Sequence, residues 1–144
     1  MIESRSAILL PAPDPDPDPP PDPRQRCRST MKLDVYAVAL DFLVLANGVV
    51  ERLPRGRSHI GDQLSRASLS IVLNIAEGAG KYSPGDKRRY YLSASGSAIE
   101  CAAILDVCRR LNLVEDATHR SGKEQLDRVV AMLVALAKKL QNDR

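Results

Sequence analysis

Tryptophan is absent from this chain of 144 residues, phenylalanine occurs once and histidine twice. With so few large rings, aliphatic and small side chains must fill whatever core forms. The two histidines, His59 and His119, stand in no HxxxH or repeated ExxH pattern, so the usual helical metal-ligand spacings are missing and neither a metal nor a cofactor is expected. The three cysteines (Cys27, Cys101, Cys108) form no paired framework and no CxxC, as expected of a reduced, cytoplasmic protein. The run Ala7-Ile8-Leu9-Leu10 is too short for a signal-peptide core or a membrane span. No segment alternates apolar and polar residues with period two, which argues against strands.

Proline is scarce only in the body of the chain, since eight of the ten prolines fall within the first 23 residues. There Pro11 to Pro23 reads PAPDPDPDPPPDP, a repeat with nothing apolar to bury and no capacity for a helix or a ladder. Residues 1–30 are therefore expected to be a disordered, extended, polyproline-like arm, and residues 31–144 the folded domain. Met31 is a plausible alternative start, which would make the arm a dispensable extension. Residues 31–144 hold 17 of the 21 Lys and Arg and 13 of the 18 Asp and Glu. That mild basicity is compatible with a nucleic-acid partner without demanding one.

Apolar residues recur at three-and-four spacing in four segments. The first, about Lys32 to Leu53, carries Val35, Val38, Phe42, Leu45 and Val49 and is followed by Pro54. The second, about Ser58 to Gly78, has Ser58 as N-cap. The third starts at Pro84 behind a Ser83 cap and runs to about Asn112, with Tyr91, Ala94, Ala98, Cys101, Leu105 and Cys108 in register. The fourth, about Asp116 to Gln141, shows Leu126, Val129, Leu133, Leu136 and Leu140. Short connections make these helices antiparallel neighbours, so the expected fold is an all-α, up-down-up-down four-helix bundle.

Two helices are more apolar than a lone bundle requires. On the second, at about 100° per residue, Leu64, Ile71 and Ile75 share one face while Leu69, Leu73 and Ala76 project elsewhere. Either a broad core and the loops cover this surface, or it is a self-association face. Between the apolar faces, Gln63, Arg66, Ser70, Asn74 and Glu77 form a polar stripe. A turn centred near Tyr82-Pro84 would set Arg66 level with Glu100, Ser70 with Gly96, and Glu77 with Arg89. Asn74, Glu77 and Glu100 are then expected to be buried and hydrogen-bonded, fixing helix register, although a solvated face would show the same stripe. No nucleophile–base pair accompanies them, so no enzyme is expected.

Taken together, Gln63-Leu64, Arg66-Ala67-Ser68, Ser70-Ile71, Asn74-Ile75-Ala76-Glu77-Gly78 and Gly80, followed by Gly96-Ser97 and Glu100, resemble the signature of a bacterial four-helix-bundle family, the 23S rRNA-intervening-sequence proteins. The resemblance spans about Leu33 to Leu140. It implies a homo-oligomeric, typically pentameric, assembly without known catalysis. A related branch resembles the accessory protein of diversity-generating retroelements, a pentameric barrel that engages nucleic acid and a reverse transcriptase. Lys81 stands where the family more often has Arg, and the Pro-Asp arm lies outside the pattern.

The remaining chemistry is quickly bounded. Gly80-Lys81 is followed by Tyr82 and ends a helix instead of opening one, so no phosphate loop forms. Lys81, Lys87, Arg88 and Arg89 are interleaved with Tyr82, Tyr90 and Tyr91, and topology brings Lys32, Lys138, Lys139 and Arg144 to the same end. Repeated around a ring, these bases would make a rim suited to RNA or single-stranded DNA, with stacking on Tyr82. Alternatively they complement carboxylates or cap the fourth helix, and Tyr90 or Tyr91 belongs to the core. Two readings follow: a scaffold that binds nucleic acid or a ribonucleoprotein, and a protein-only adaptor that docks a partner such as a reverse transcriptase.

Overall fold

A computed structural model describes residues 10–20, 22–25 and 33–142. Four long helices carry the chain: α1 Asp34–Arg52, α2 Ser58–Gly80, α3 Pro84–Arg110 and α4 Asp116–Asn142. α1 packs on α2 and α4, and α3 packs on the same two, while the backbones of the diagonal pairs stay apart. This is the expected antiparallel up-down-up-down bundle, and among the described residues there is no strand.

Each helix contributes one row to a common core. Val35, Val38, Phe42 and Val49 come from α1, and Leu64, Ile71 and Ile75 from α2. Tyr91, Ala94, Ala98, Cys101 and Leu105 come from α3, and Leu126, Val129 and Leu133 from α4. Each large side chain buried here contributes about 1.5–3 kcal/mol. α3 is long and apolar enough by composition to cross a bilayer. Its row from Tyr91 to Cys108 is nevertheless buried in the bundle, as in a core helix of a packed domain.

The connections are short and chemically specified. Arg57 N donates to the Pro54 carbonyl across a turn in which Gly56 has φ 90°, a left-handed conformation that glycine adopts without a Cβ clash. Ser58 is the first residue of α2, not its cap: Arg57 holds that position and no side chain accepts a bond there. Ser83 does cap α3, accepting from Asp86 N at 3.1 Å, with Pro84 in the first turn. α3 stops at Arg110, two residues short of the expected end. Asn112 turns left-handed at φ 57°, Leu113 N bonds the Cys108 carbonyl and Asn112 N bonds that of Arg109, the paired bonds that close a helix C-terminus in a Schellman motif.

Gly78 and Gly80 do not act alike. α2 runs through both, past the expected stop at Gly78. A Cβ on Gly78 would lie 2.8 Å from the Tyr91 ring and 3.1 Å from Tyr90 Cβ, whereas one on Gly80 would meet nothing within 4 Å. Gly78 is therefore the notch into which α3 presses Tyr91.

The arm has no regular secondary structure and is exposed over residues 10–20. Contrary to the expectation of no helix, residues 23–25 form one helical turn, with Asp22 Oδ1 accepting from Arg24 N at 2.9 Å. An Asp-Pro pair places a capping carboxylate directly before a residue whose φ suits the first turn. Met31, Lys32 and Cys27 lie outside the described residues.

The two glycines predict opposite outcomes. Gly80→Ala should raise stability by up to about 1 kcal/mol through helix propensity. Gly78→Ala should fall about 1–3 kcal/mol below it because the new methyl overpacks against Tyr91. Urea denaturation of both variants checks this, and equal midpoints would refute the notch.

Candidate functional site

The up-down course brings the start of α1, the turn between α2 and α3, and the end of α4 to one end of the bundle. Lys81, Tyr82, Lys87, Arg88, Arg89, Lys138 and Lys139 gather there, while Lys32 and Arg144 lie outside the described residues. Several of these cations have intrachain work. Lys87 Nζ donates to the carbonyls of Ala79 at 2.9 Å and Gly78 at 3.4 Å, so it caps the negative end of α2; the expected target of such a cap was the fourth helix. Lys81 pairs with Glu77 at 3.6 Å and Arg89 with Asp86 at 3.7 Å. Both cations also stand over the Tyr90 ring, 5.1 and 5.2 Å from its centroid, a favourable contact with the ring quadrupole. Arg88 is half-buried, with its Nε shielded from solvent.

The tyrosines divide accordingly. Tyr91 is core, and burial pushes its phenol pKa up. Tyr90 is half-buried beneath two cations. Tyr82, at 49 % exposure, offers a ring face at the turn. Arg89, Lys138 and Lys139 are exposed and supply the most accessible charge.

The polar stripe forms a compact seam and not a row of salt bridges. Ser70 Oγ lies 2.9 Å from Ser97 Oγ. Asn74 Nδ2 donates to the Ser70 carbonyl at 2.8 Å and to Ser70 Oγ at 3.0 Å. The Ser70–Ser97 contact lies within one residue of the expected register. The Arg66–Glu100 and Glu77–Arg89 pairs nevertheless do not form: Arg66 and Glu100 are both exposed, and Glu77 turns to Lys81, just past the end of its own helix. Of the three residues expected to be buried, Asn74 is half-buried while Glu77 and Glu100 face solvent. Gln63 is exposed as well.

On either side of this seam the surface is apolar. Leu69 and Leu73 on α2 are 46 % and 53 % exposed, and Ala76 beside them is half-buried. On α3, Leu92, Ile99 and Val107 are exposed, the last two at 60 % and 47 %. Gly96 and Ala103 complete that row at four-three-four-four spacing. Neither the core nor the loops cover these residues. The sequence marks α3 as more apolar than a lone bundle requires but does not single out this row, because α3 is apolar on several sides. Its signal was the repeat of the core row, offset by about one position.

The remaining polar groups are structural in geometry. Asp106 accepts from Lys123 Nζ at 3.0 Å and lies 2.8 Å from His119 Nε2. The His119 hydrogen bond, and then that of Lys123, holds the Asp106 carboxyl below its ordinary pKa, tying α3 to α4 at the surface. His59 is exposed at the start of α2. Among the described residues no three His, Cys, Asp or Glu side chains converge. Burial, with a smaller effect of the Glu100 charge, pushes the Cys101 thiol up to about 12, and burial also raises that of Cys108. Neither can supply a thiolate near neutrality. At pH 8, iodoacetamide should therefore leave Cys101 and Cys108 unmodified in the folded protein and alkylate both in denaturant; peptide mapping that finds either labelled in the native state would contradict the buried placement.

A family model described as 23S rRNA-intervening sequence protein matches residues 31–135. The match begins at Met31 and leaves the Pro-Asp arm outside it. No match is found among curated proteins.

Proposed function

The chain belongs to the 23S rRNA-intervening sequence protein family, and from that premise we propose that it works without catalysis, as a homo-oligomeric scaffold whose basic end contacts RNA or single-stranded DNA. The observation that carries this reading is the outer face of α2 and α3. Two apolar rows, led by Leu69 and Leu73 on one side and Ile99 and Val107 on the other, remain in water around a hydrogen-bonded seam. Removing such side chains from solvent contributes about 25 cal/mol per Å², and rows on two adjacent helices suit a continuous interface between copies. Arg66, Glu77 and Glu100 stand exposed on the same surface, where charges across a subunit boundary select register.

A ring built through this face repeats the basic end around its axis, and the family resemblance favours a pentamer. Single cations that are modest alone then act together on a phosphate backbone. Tyr82 adds a sequence-tolerant stacking surface. The second reading, a protein-only adaptor docking a partner such as a reverse transcriptase, draws support from the intrachain roles of Lys81, Lys87 and Arg89. Those roles leave fewer cations available for phosphates.

Salt-titrated fluorescence anisotropy with a single-stranded RNA separates the two. Binding should weaken steeply with salt. Joint replacement of Arg89, Lys138 and Lys139 by Gln should lower affinity about 10-fold or more at low salt and flatten the log–log salt slope by about 2. Lys87 is left intact because its loss would uncap α2. No binding at low salt, or binding unmoved by the triple variant, would overturn the nucleic-acid reading in favour of the adaptor.

A further inference from the structure

The Pro-Asp arm, which the family match leaves out, returns to the basic end. The Tyr82 hydroxyl donates to the backbone carbonyl of Asp18 at 2.5 Å, a contact between residues 64 positions apart. That contact fixes Asp18 at the turn that carries Lys81, Lys87, Arg88 and Arg89, and chain connectivity keeps Asp16 and Asp14 within about 6 and 12 Å of it at the rise of polyproline II. From the composition of both partners and this contact, we infer that the arm is a tethered acidic ligand of the basic end, covering it against polyanions.

Three properties suit the segment to that role. Prolines at 11, 13, 15, 17 and 19 lack an N–H and hold an extended backbone, so docking costs little conformational entropy. Extended proline-rich segments are recognised through aromatic faces and free carbonyls, and Tyr82 provides both a ring and a hydroxyl donor. Alternate aspartates place a negative charge about every 6 Å at the rise of polyproline II, within reach of the long, flexible Lys and Arg side chains of the turn. Tethering supplies the acidic segment at high effective concentration, so weak individual contacts suffice. Glu77 and Asp86 each neutralise one cation of the turn, and the arm adds further carboxylates to the same surface.

The consequence for polyanions rests on the proposed nucleic-acid function, whereas the docking does not. The test uses the full chain and its Asp14, Asp16 and Asp18→Asn triple variant, with two separate readouts. Zero-length carbodiimide coupling should join arm carboxylates to Lys81, Lys87, Lys138 or Lys139 in wild type at low salt, with the linked peptides identified by mass spectrometry and lost in high salt. RNA anisotropy should show the triple variant binding about 3- to 10-fold more tightly at low salt, with the difference vanishing as salt screens it. Absence of arm-to-bundle links would overturn the docking, whatever RNA does. Links present with equal RNA affinity for both forms would overturn the covering role. Links present with no RNA bound by either form would uphold the docking and refute the nucleic-acid function instead.

Discussion

The close approach of α2 and α3 is the constraint on which the rest of the structure depends. Gly78 admits the Tyr91 ring, and Ser70 Oγ meets Ser97 Oγ across the seam while Asn74 braces Ser70 from within α2. Ala94 and Ala98 let the facing backbones near each other without leaving space. Small residues at a helix seam have a geometric cost: the larger apolar side chains of both helices are displaced to the flanks. Those that point inward meet α1 and α4 and form the core. Those that point outward, such as Leu73 and Ile99, stay more than half in water among the described residues. The same seam that makes the bundle tight therefore leaves an apolar outer face, the one on which the proposed association rests.

At the end of the bundle the same economy governs charge. The turn from Gly80 to Pro84 is too short to satisfy the terminal carbonyls of α2 by backbone alone, and Lys87 reaches back to do so. Lys81 and Arg89 both contact the Tyr90 ring. The cations nearest the turn are thus partly structural. Outward electrostatic character falls to Arg89, Lys138 and Lys139, and the acidic arm opposes it. The proposed association, polyanion binding and restraint by the arm would be linked through one end of the molecule, because repetition around an axis concentrates so few accessible charges.

The four helices were legible because their periodicity is strong and their stop signals sit where backbone chemistry needs them. Ser83, Pro84, Pro54 and the α3 row from Tyr91 to Cys108 are examples. The α2–α3 register was legible to about one residue, but the ion pairs were not. Glu77 turns away from Arg89, and Arg66 and Glu100 stay apart, since an equal-height argument carries no information about side-chain direction. The role of Gly78 was hidden because a glycine near a helix end looks like a stop signal until the partner ring is placed. The Tyr82–Asp18 contact was equally invisible, as nothing in either segment records a neighbour so distant in sequence.

Everything above converges on an outer face that a single copy leaves in water. Native mass measurement of the full chain at micromolar concentration, alone and with Leu69 and Leu73 both changed to Glu, tests this most directly. The unmodified protein should register as a discrete multiple of its 15.8 kDa subunit, with the pentamer favoured. The variant should fall to a folded monomer whose helical content is unchanged. A wild-type protein that is already a folded monomer under these conditions would contradict the proposed assembly, and the rim of charge that depends on it.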